Sequence, residues 1–458
     1  MGEQVRSTPP CQRQDALAVL RRLRDAGHVA YFAGGCVRDE LLGLTPADYD
    51  VATDAPPQRV RELFTSTQAV GVAFGVILVR HGRSVVEVAT FRAEGGYEDG
   101  RRPGHVHFTT DREDAQRRDF TINGLFLDPL ANRVIDYVDG QRDLAQRRLR
   151  AIGDPAARFA EDHLRLLRAV RFAARFALNI EPATAAAIRA HARSLRRISP
   201  ERIADELRQM LTAPTRTIAW PMLWEFDLLP VIFRFLPGEA PTRLEANRSI
   251  LLALAPGQSV GFAVALAAGT LDWRLPAGHA TADPRQLLSR PAVHGTVRAM
   301  RQALRLSNEE SDALAGILAG LAPLLADAPP GVATIKRFLA APAAGAAREL
   351  LAALQTVGMW TERIQWLNTQ FAMLRHTPLA PPPLVTGDDL TAAGLQPGPA
   401  FRRILHDVYD AQLENRIGTK QQAMNMALEL AARQPAIPSS RRTGRQNPGA
   451  GGGESTKA

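Results

Sequence analysis

Asp48 and Asp50, separated by one residue and close behind the glycine pair Gly34-Gly35, are the side chains best placed to do chemistry. In a strand reading Asp48-Tyr49-Asp50-Val51-Ala52-Thr53, alternation puts both carboxylates on one face. Paired carboxylates on a rigid strand can hold two Mg²⁺ ions roughly 3.5–4 Å apart, the arrangement that steadies the attacking and leaving oxygens of a phosphoryl transfer. Gly34 and Gly35 let the backbone turn sharply and bring N–H groups up to a phosphate, with no Cβ in the way. Arg38, just downstream, carries a guanidinium that can fork onto phosphate oxygens. Either feature alone is commonplace, since a Gly-Gly is usually a turn and an Asp-x-Asp usually a solvated strand end. Their combination points to nucleotide chemistry.

The elements that must position these residues can be read from the same stretch. The apolar run over residues 28–33 reads as a buried strand, and residues 37–42 as a short helix stopped by Gly43. Strand, Gly-Gly turn, arginine-bearing helix and Asp-x-Asp strand, in that order, resemble the head of the nucleotidyltransferase superfamily that includes DNA polymerase beta. More narrowly, the chain resembles the bacterial class II tRNA nucleotidyltransferase and poly(A) polymerase family. The resemblance implies an α+β fold, with a mixed-sheet head followed by an all-helical neck, body and tail. It implies template-independent addition of nucleotides to an RNA 3′ end, most simply CCA on tRNA from CTP and ATP. Asp48 and Asp50 are then the catalytic metal ligands and Mg²⁺ the cofactor. The 3′ oxygen attacks the α-phosphate in line and pyrophosphate leaves, so positioning and charge neutralisation supply most of the catalysis.

Further runs match the family's other motifs. In Arg117-Arg118-Asp119-Phe120-Thr121-Ile122-Asn123, Arg118 is placed to contact the triphosphate and Asp119 or Asn123 the ribose hydroxyls. Residues 136–143 resemble a hinge between head and neck, although Gly140 reads equally as a simple turn. In Glu161-Asp162-His163-Leu164-Arg165, helical spacing puts Glu161, Arg165 and Arg168 on one face with Asp162 at its edge, within a helical run over residues 159–177. The resemblance makes this the base-selecting motif, and the chemistry agrees. Cytosine and adenine both offer an amino donor beside a ring-nitrogen acceptor. Asp162 can accept from the first and Arg165 donate to the second, while Arg168 and Arg171 hold phosphate or orient the pair. Guanine and uracil present the opposite pattern, and a buried mismatch of that kind costs roughly 10⁴–10⁵ in discrimination.

Other features keep two readings. Glu87 is either a third carboxylate beside the metals or an edge-exposed glutamate. Arg92 and residues 97–103 read as a mobile loop near the phosphates or as a plain connection. Residues 198–207 match a fifth motif whose work is structural, with Ser199 as N-cap, Pro200 at N1 and Glu201 or Arg202 bracing the neck. Arg189, Arg193, Arg196 and Arg197, at helical spacing, form an RNA-phosphate track or a solvated face. The glycine-rich turns at Gly387 and at Gly394 to Gly398 present N–H groups to RNA phosphates or simply join helices.

Composition bounds the rest. The 458 residues allow two to four domains, and 56 basic against 47 acidic residues give +9, which suits a polyanionic partner. Arginine abundance and a basic C-terminal tail weaken that inference. Cys11 and Cys36 are the only cysteines, which excludes a disulfide framework or a cysteine-rich zinc site. The N-terminus lacks an apolar core, and Pro256-Gly257-Gln258-Ser259 breaks the uncharged run over residues 249–271 into two core helices. A cytoplasmic protein with no membrane association is expected, with tRNA as its partner. The expected layout is an N-terminal segment to residue 27, a head over 28–150, a nucleotide-selecting neck over 151–215, a helical body and tail over 216–435 and a disordered basic tail over 436–458. Proline-rich joints at 327–330 and 378–383 suggest breaks within the helical part. Poly(A) tailing or partial CC or A addition are the alternatives. The sequence at Phe74-Gly75-Val76 departs from the Gly-Arg-Arg/Lys-Phe element of poly(A) polymerases, and the loop with Arg101-Arg102-Pro103 argues against a CC-only enzyme. An inactive RNA-binding module would have lost Asp48 or Asp50.

Overall fold

Among the residues that the computed structural model describes (13–71, 75–95, 105–235, 249–274 and 287–433), the first element is amphipathic helix α1 (Arg13–Asp25), which buries Ala16, Val19, Leu20 and Leu23. The chain continues through β1 (Ala30–Ala33), α2 (Gly35–Leu41), β2 (Asp50–Thr53), α3 (Pro57–Leu63), β3 (Thr67–Gly71), β4 (Val76–His81) and β5 (Ser84–Thr90). An antiparallel pair, β6 (Arg92–Gly95) and β7 (His105–Phe108), precedes α4 (Asp111–Gln116), β8 (Leu125–Asp128), β9 (Arg133–Asp136) and α5 (Gly140–Ala145). Seven strands form one mixed sheet in the order β3-β4-β5-β2-β1-β8-β9, antiparallel except for β2 against β5. The expected loop tip over residues 97–103, Phe74, Cys11 and the basic tail from 436 lie outside the described residues.

Strand register decides where the chemistry sits. Val51 lies opposite Phe32 on one side and Val88 on the other, and these buried side chains face α1, whose Arg13 guanidinium covers the Phe32 ring. The alternate residues Ala33, Asp50, Ala52, Glu87 and Ala89 therefore point to the opposite face, where they line a cavity. Alanine at 33, 52 and 89 keeps the cavity floor low.

Strand β2 starts at Asp50, so Asp48 lies in the extended lead-in and not in the strand. Its ladder with β1 ends there because Ala33, the partner of Asp50, is followed at once by Gly34, which turns the chain at φ +72°. Tyr49 between the two aspartates packs on Phe32 with ring centroids 5.2 Å apart, which keeps both carboxylates on the cavity side. Gly43 ends α2 with φ +71°, as its sequence position requires. At the end of the head, Asp136 accepts from the Val138, Gly140 and Gln141 N–H groups. A Cβ on Gly140 would come within 2.3 Å of the Thr121 carbonyl, so close approach fixes glycine there.

After β10 (Arg148–Leu149) the elements among the described residues are helices, apart from β11 (Asn179–Ile180), which pairs in parallel with β10. Asp154 caps α6 (Pro155–Glu161) by accepting from the Ala156 and Ala157 N–H groups, and α7 (Arg165–Phe176) follows. The single helix expected over residues 159–177 is thus two, broken at Asp162 (φ −139°, ψ 104°). The break has a local cause, because the Asp162 carboxylate accepts from the Leu164 N–H 3.1 Å away and so prefers a turn to a helix. The basic stripe expected on one helix is also broken. Helix α8 (Pro182–His191) passes into a 3₁₀ segment, Ala192–Arg197, so Arg189 and the three arginines after it do not share one α-helical face. Helix α9 (Pro200–Leu211) starts with Pro200 at N1, but the Ser199 hydroxyl makes no capping bond.

The uncharged run over 249–271 falls into Ile250–Ala253 and Phe262–Arg274, and no helix among the described residues is long and apolar enough to cross a membrane. Two compact units divide the chain. The larger runs to Pro329 and includes Ala341–Thr369, and the smaller takes Pro330–Ala340 and the residues from Gln370. In the smaller unit Thr386 and Asp389 close a capping box on helix Gly387–Ala392, which occupies the Thr386 and Asp389 N–H groups.

Candidate active site

One cavity of about 650 Å³ gathers Asp48, Asp50, Gly34, Gly35, Arg38, Arg118, Asp119, Asn123, Asp162, Arg165, Arg168 and Arg171. Residues more than a hundred positions apart in sequence thus meet on one surface. Glu87 lines the same cavity while remaining exposed, so the structure leaves both of its readings standing. The four arginines 189, 193, 196 and 197 lie elsewhere. Arg189 pairs with Glu225 at 2.5 Å, whereas Arg193, Arg196 and Arg197 are exposed and form no ion pair among the described residues.

The acidic corner is electrostatically strained. Burial, then Glu87 and Asp48, push the Asp50 carboxyl up to about 7 against the pull of Arg118. Burial and Asp48 also raise Glu87. Crowded carboxylates that resist ionisation are what a cation relieves. Among the described residues no group of three or more His, Cys, Asp or Glu side chains is placed to hold a metal ion by itself, so any ion here would take much of its shell from water and substrate. An all-oxygen donor set of this size, completed by water and phosphate, suits a hard divalent ion. The residues present therefore fit a metal that shares its shell with substrate.

The basic walls are held by partners of opposite sign. Arg38 is buried, forks onto Asp39 Oδ1 at 2.8 and 2.6 Å, and donates to Asn123 at 2.6 Å. Burial lowers its pKa and Asp39 opposes the shift. Arg118 places Nε and Nη2 at 3.2 and 3.0 Å from Asp114, which also receives Arg117 at 2.7 Å. A Cβ on Gly34 would stand 2.8 Å from Arg118 Nη1, so glycine there admits the guanidinium as well as the turn. Asp119 takes the Arg168 fork at 2.8 and 2.6 Å and the Asn123 amide at 3.0 Å. Burial would raise the Asp119 carboxyl, but Arg168 and Asn123 outweigh it and hold it at about 2.

The Asp162 and Arg165 side chains do not pair with each other, although the Arg165 backbone N–H donates to the Asp162 carbonyl at 3.1 Å. Arg165 donates to Glu161 at 2.5 Å and to the Arg158 carbonyl at 2.8 Å, while Asp162 is held by Arg202 at 3.1 Å. The broken helix explains the exchange of partners, since Asp162 leaves the face that carries Arg165. Arg202, expected only to brace the neck, lines the cavity, and the bracing falls to Glu206, which receives Arg171 at 2.6 Å. Arg117, Phe172 and Arg175 also line the cavity and were not singled out from sequence. Extending the arginine spacing of α7 by one more turn would have reached Arg175.

Residues 30–150 match the family model of the poly(A) polymerase head domain, and residues 177–238 match that of the probable RNA- and SrmB-binding site of polymerase A. The chain is 43% identical over 205 residues to the CCA-adding enzyme of Limosilactobacillus fermentum, covering 44% of this chain and 51% of the relative. It is 45% identical over 214 residues to the CCA-adding enzyme of Lactobacillus helveticus, covering 46% and 53%. The aligned region thus spans about half the length of these curated relatives. Among solved structures, the Bacillus stearothermophilus CCA-adding enzyme in complex with CTP superimposes with a TM-score of 0.66 at 28% identity, covering 92% of this chain and 98% of that one.

The Asp119–Arg168 fork ties the head to α7, and removing one partner leaves a buried charge. Arg168→Ala is expected to cost about 2–3 kcal/mol in urea denaturation at pH 7, part of which Asp119→Asn restores in the double variant. The wild-type advantage is present above the ordinary carboxyl value of 3.8 and is lost as pH falls through about 2, because the folded-state value is the lower one. Equal stability of the two proteins at pH 7 would refute this role.

Proposed function

We propose that the chain belongs to the family of class II tRNA nucleotidyltransferases and bacterial poly(A) polymerases, and that it adds CCA to tRNA 3′ ends from CTP and ATP without a template. The observation that carries the reading is a single cavity with a carboxylate cluster on one wall and an aspartate flanked by arginines on another. The first is what phosphoryl transfer needs, and the second is what base selection needs.

Enzymes of this family depend on divalent metal. Asp48 and Asp50, with Glu87 beside them, would hold it, and we assign Mg²⁺ because a few carboxylates with water and phosphate complete its shell. Bound there, the metal supplies charge neutralisation for the phosphates and acidity for the attacking hydroxyl. The Gly34-Gly35 turn and Arg118 cradle the triphosphate, and Asn123 and Asp119 orient the ribose. Because Arg118 and Arg168 are already forked onto carboxylates, they meet the nucleotide with little loss of side-chain freedom. Asp162 accepts the amino proton of cytosine or adenine, Arg165 donates to the ring nitrogen, and Arg202 keeps the carboxylate aimed. Exposed Arg193, Arg196 and Arg197, within the region matched to an RNA-binding model, face tRNA phosphates in the cytoplasm.

Two experiments test this reading. Asp162→Ala is expected to reduce discrimination against GTP and UTP by at least about tenfold, since an unpaired polar edge is what rejects them. Arg202→Ala should give a smaller loss in the same direction. Retention of full CTP and ATP preference by both variants would place the selector elsewhere. The product is tested with ATP alone on tRNA ending in CC, where the wild-type protein should add one residue and stop. Long adenosine ladders there, or on unstructured RNA, would make the protein a poly(A) polymerase.

A further inference from the structure

Four arginines project from α7, and three of them are held tightly. Arg165 lies 2.5 Å from Glu161, Arg168 2.6 Å from Asp119 and Arg171 2.6 Å from Glu206. The fourth, Arg175, lines the same cavity with half of its side chain exposed. Its nearest carboxylate oxygen, Asp39 Oδ2, is 3.9 Å away, beyond hydrogen-bond distance. Asp39 is moreover already balanced, since its other oxygen takes the Arg38 fork. The Arg175 guanidinium rests over the Phe176 ring, 5.0 Å from the centroid, which steadies it without using an N–H group.

Position narrows what these donors can meet. Asp39 belongs to α2, about one helical turn beyond Gly35, so Arg175 overhangs the helix that begins at the Gly34-Gly35 turn. Two arginines face one aspartate on that side of the cavity, which leaves a local positive charge next to the phosphate cradle. A planar guanidinium with open donors, a steadied stem and excess positive charge is suited to a phosphate group.

We propose that Arg175 binds the terminal phosphates of the incoming nucleoside triphosphate, and so sets nucleotide affinity without regard to base. The inference deepens the nucleotidyltransferase function proposed above and rests on it. A backbone phosphate near the RNA 3′ end has the same chemistry, but the contact of Arg175 with α2 places it on the triphosphate side of the cavity.

The test compares the full-length wild-type chain with Arg175→Ala and Arg175→Lys. KM for CTP and ATP is measured at saturating tRNA, KM for tRNA at saturating nucleotide, and the affinity for inorganic tripolyphosphate with Mg²⁺ by calorimetry without RNA. For Arg175→Ala, KM for both nucleotides should rise about tenfold and tripolyphosphate affinity fall by a similar factor, the loss of one charge-assisted contact at a half-exposed site. KM for tRNA should stay within about twofold, and Arg175→Lys should recover part of the loss, because the ammonium keeps the charge without the fork. A rise confined to the KM for tRNA would assign Arg175 to the RNA backbone and overturn the proposal. Unchanged nucleotide KM and tripolyphosphate affinity would reduce Arg175 to a packing role. A wild-type chain that incorporates no nucleotide would refute the proposed function, while the tripolyphosphate titration would still decide for or against Arg175.

Discussion

Three carboxylates crowd one corner of the cavity, and much of the head can be understood as what holds them there. Parallel pairing of β2 on β5 sets Val51 beside Val88, which makes Asp50 and Glu87 neighbours, and Asp48 enters alongside from the lead-in to β2. Left to themselves these groups repel each other. Because the folded-state carboxyl of Asp50 is raised from 3.8 to about 7, its contribution to stability is present below the lower value and is lost as pH rises through the upper one. At neutral pH the ionised cluster thus opposes folding. It persists because Phe32, Tyr49 and α1 fix β1 and β2 from the other face of the sheet.

The basic side of the cavity answers this corner with positive charge that is already ordered. Arg38 is held by Asp39, Arg118 by Asp114, Arg168 by Asp119 and Arg171 by Glu206. Two of these pairs join the head to α7 or α7 to α9, so the same contacts that close the seam between elements also aim guanidinium groups at the cavity. Fixed dipoles and charges of this kind need little reorganisation when a triphosphate arrives. The cost is that each such guanidinium spends N–H groups on its carboxylate, as Arg168 does with Nε and Nη2 on Asp119. That separates Arg168 from Arg175, which lines the cavity with half of its side chain exposed.

Sequence revealed the parts whose chemistry is local. Gly34-Gly35 announced the turn, the alternation around Tyr49 announced the shared side of Asp48 and Asp50, and helical spacing announced the face shared by Glu161 and Arg165. What it concealed depends on partners remote in the chain. Nothing near Asp162 says that Arg202, forty residues on, will hold its carboxylate. The start of β2 is likewise set by where its neighbour β1 ends, and not by the residues of β2 alone. The passage of α8 into a 3₁₀ segment is a third such case. Arginine spacing there still fits an α-helix, while buried Ala192 and Leu195 set the tighter path.

In the function proposed above, the acidic corner is kept for a cation. Thermal unfolding of wild-type protein and Asp50→Asn, each with and without millimolar Mg²⁺, tests this without relying on activity. Removing a half-buried like charge should make the cation-free variant melt above the cation-free wild type, and Mg²⁺ should raise the wild-type midpoint but leave the variant nearly unmoved. A variant that melts lower without cation, or that gains as much from Mg²⁺ as the wild type does, would contradict the claim.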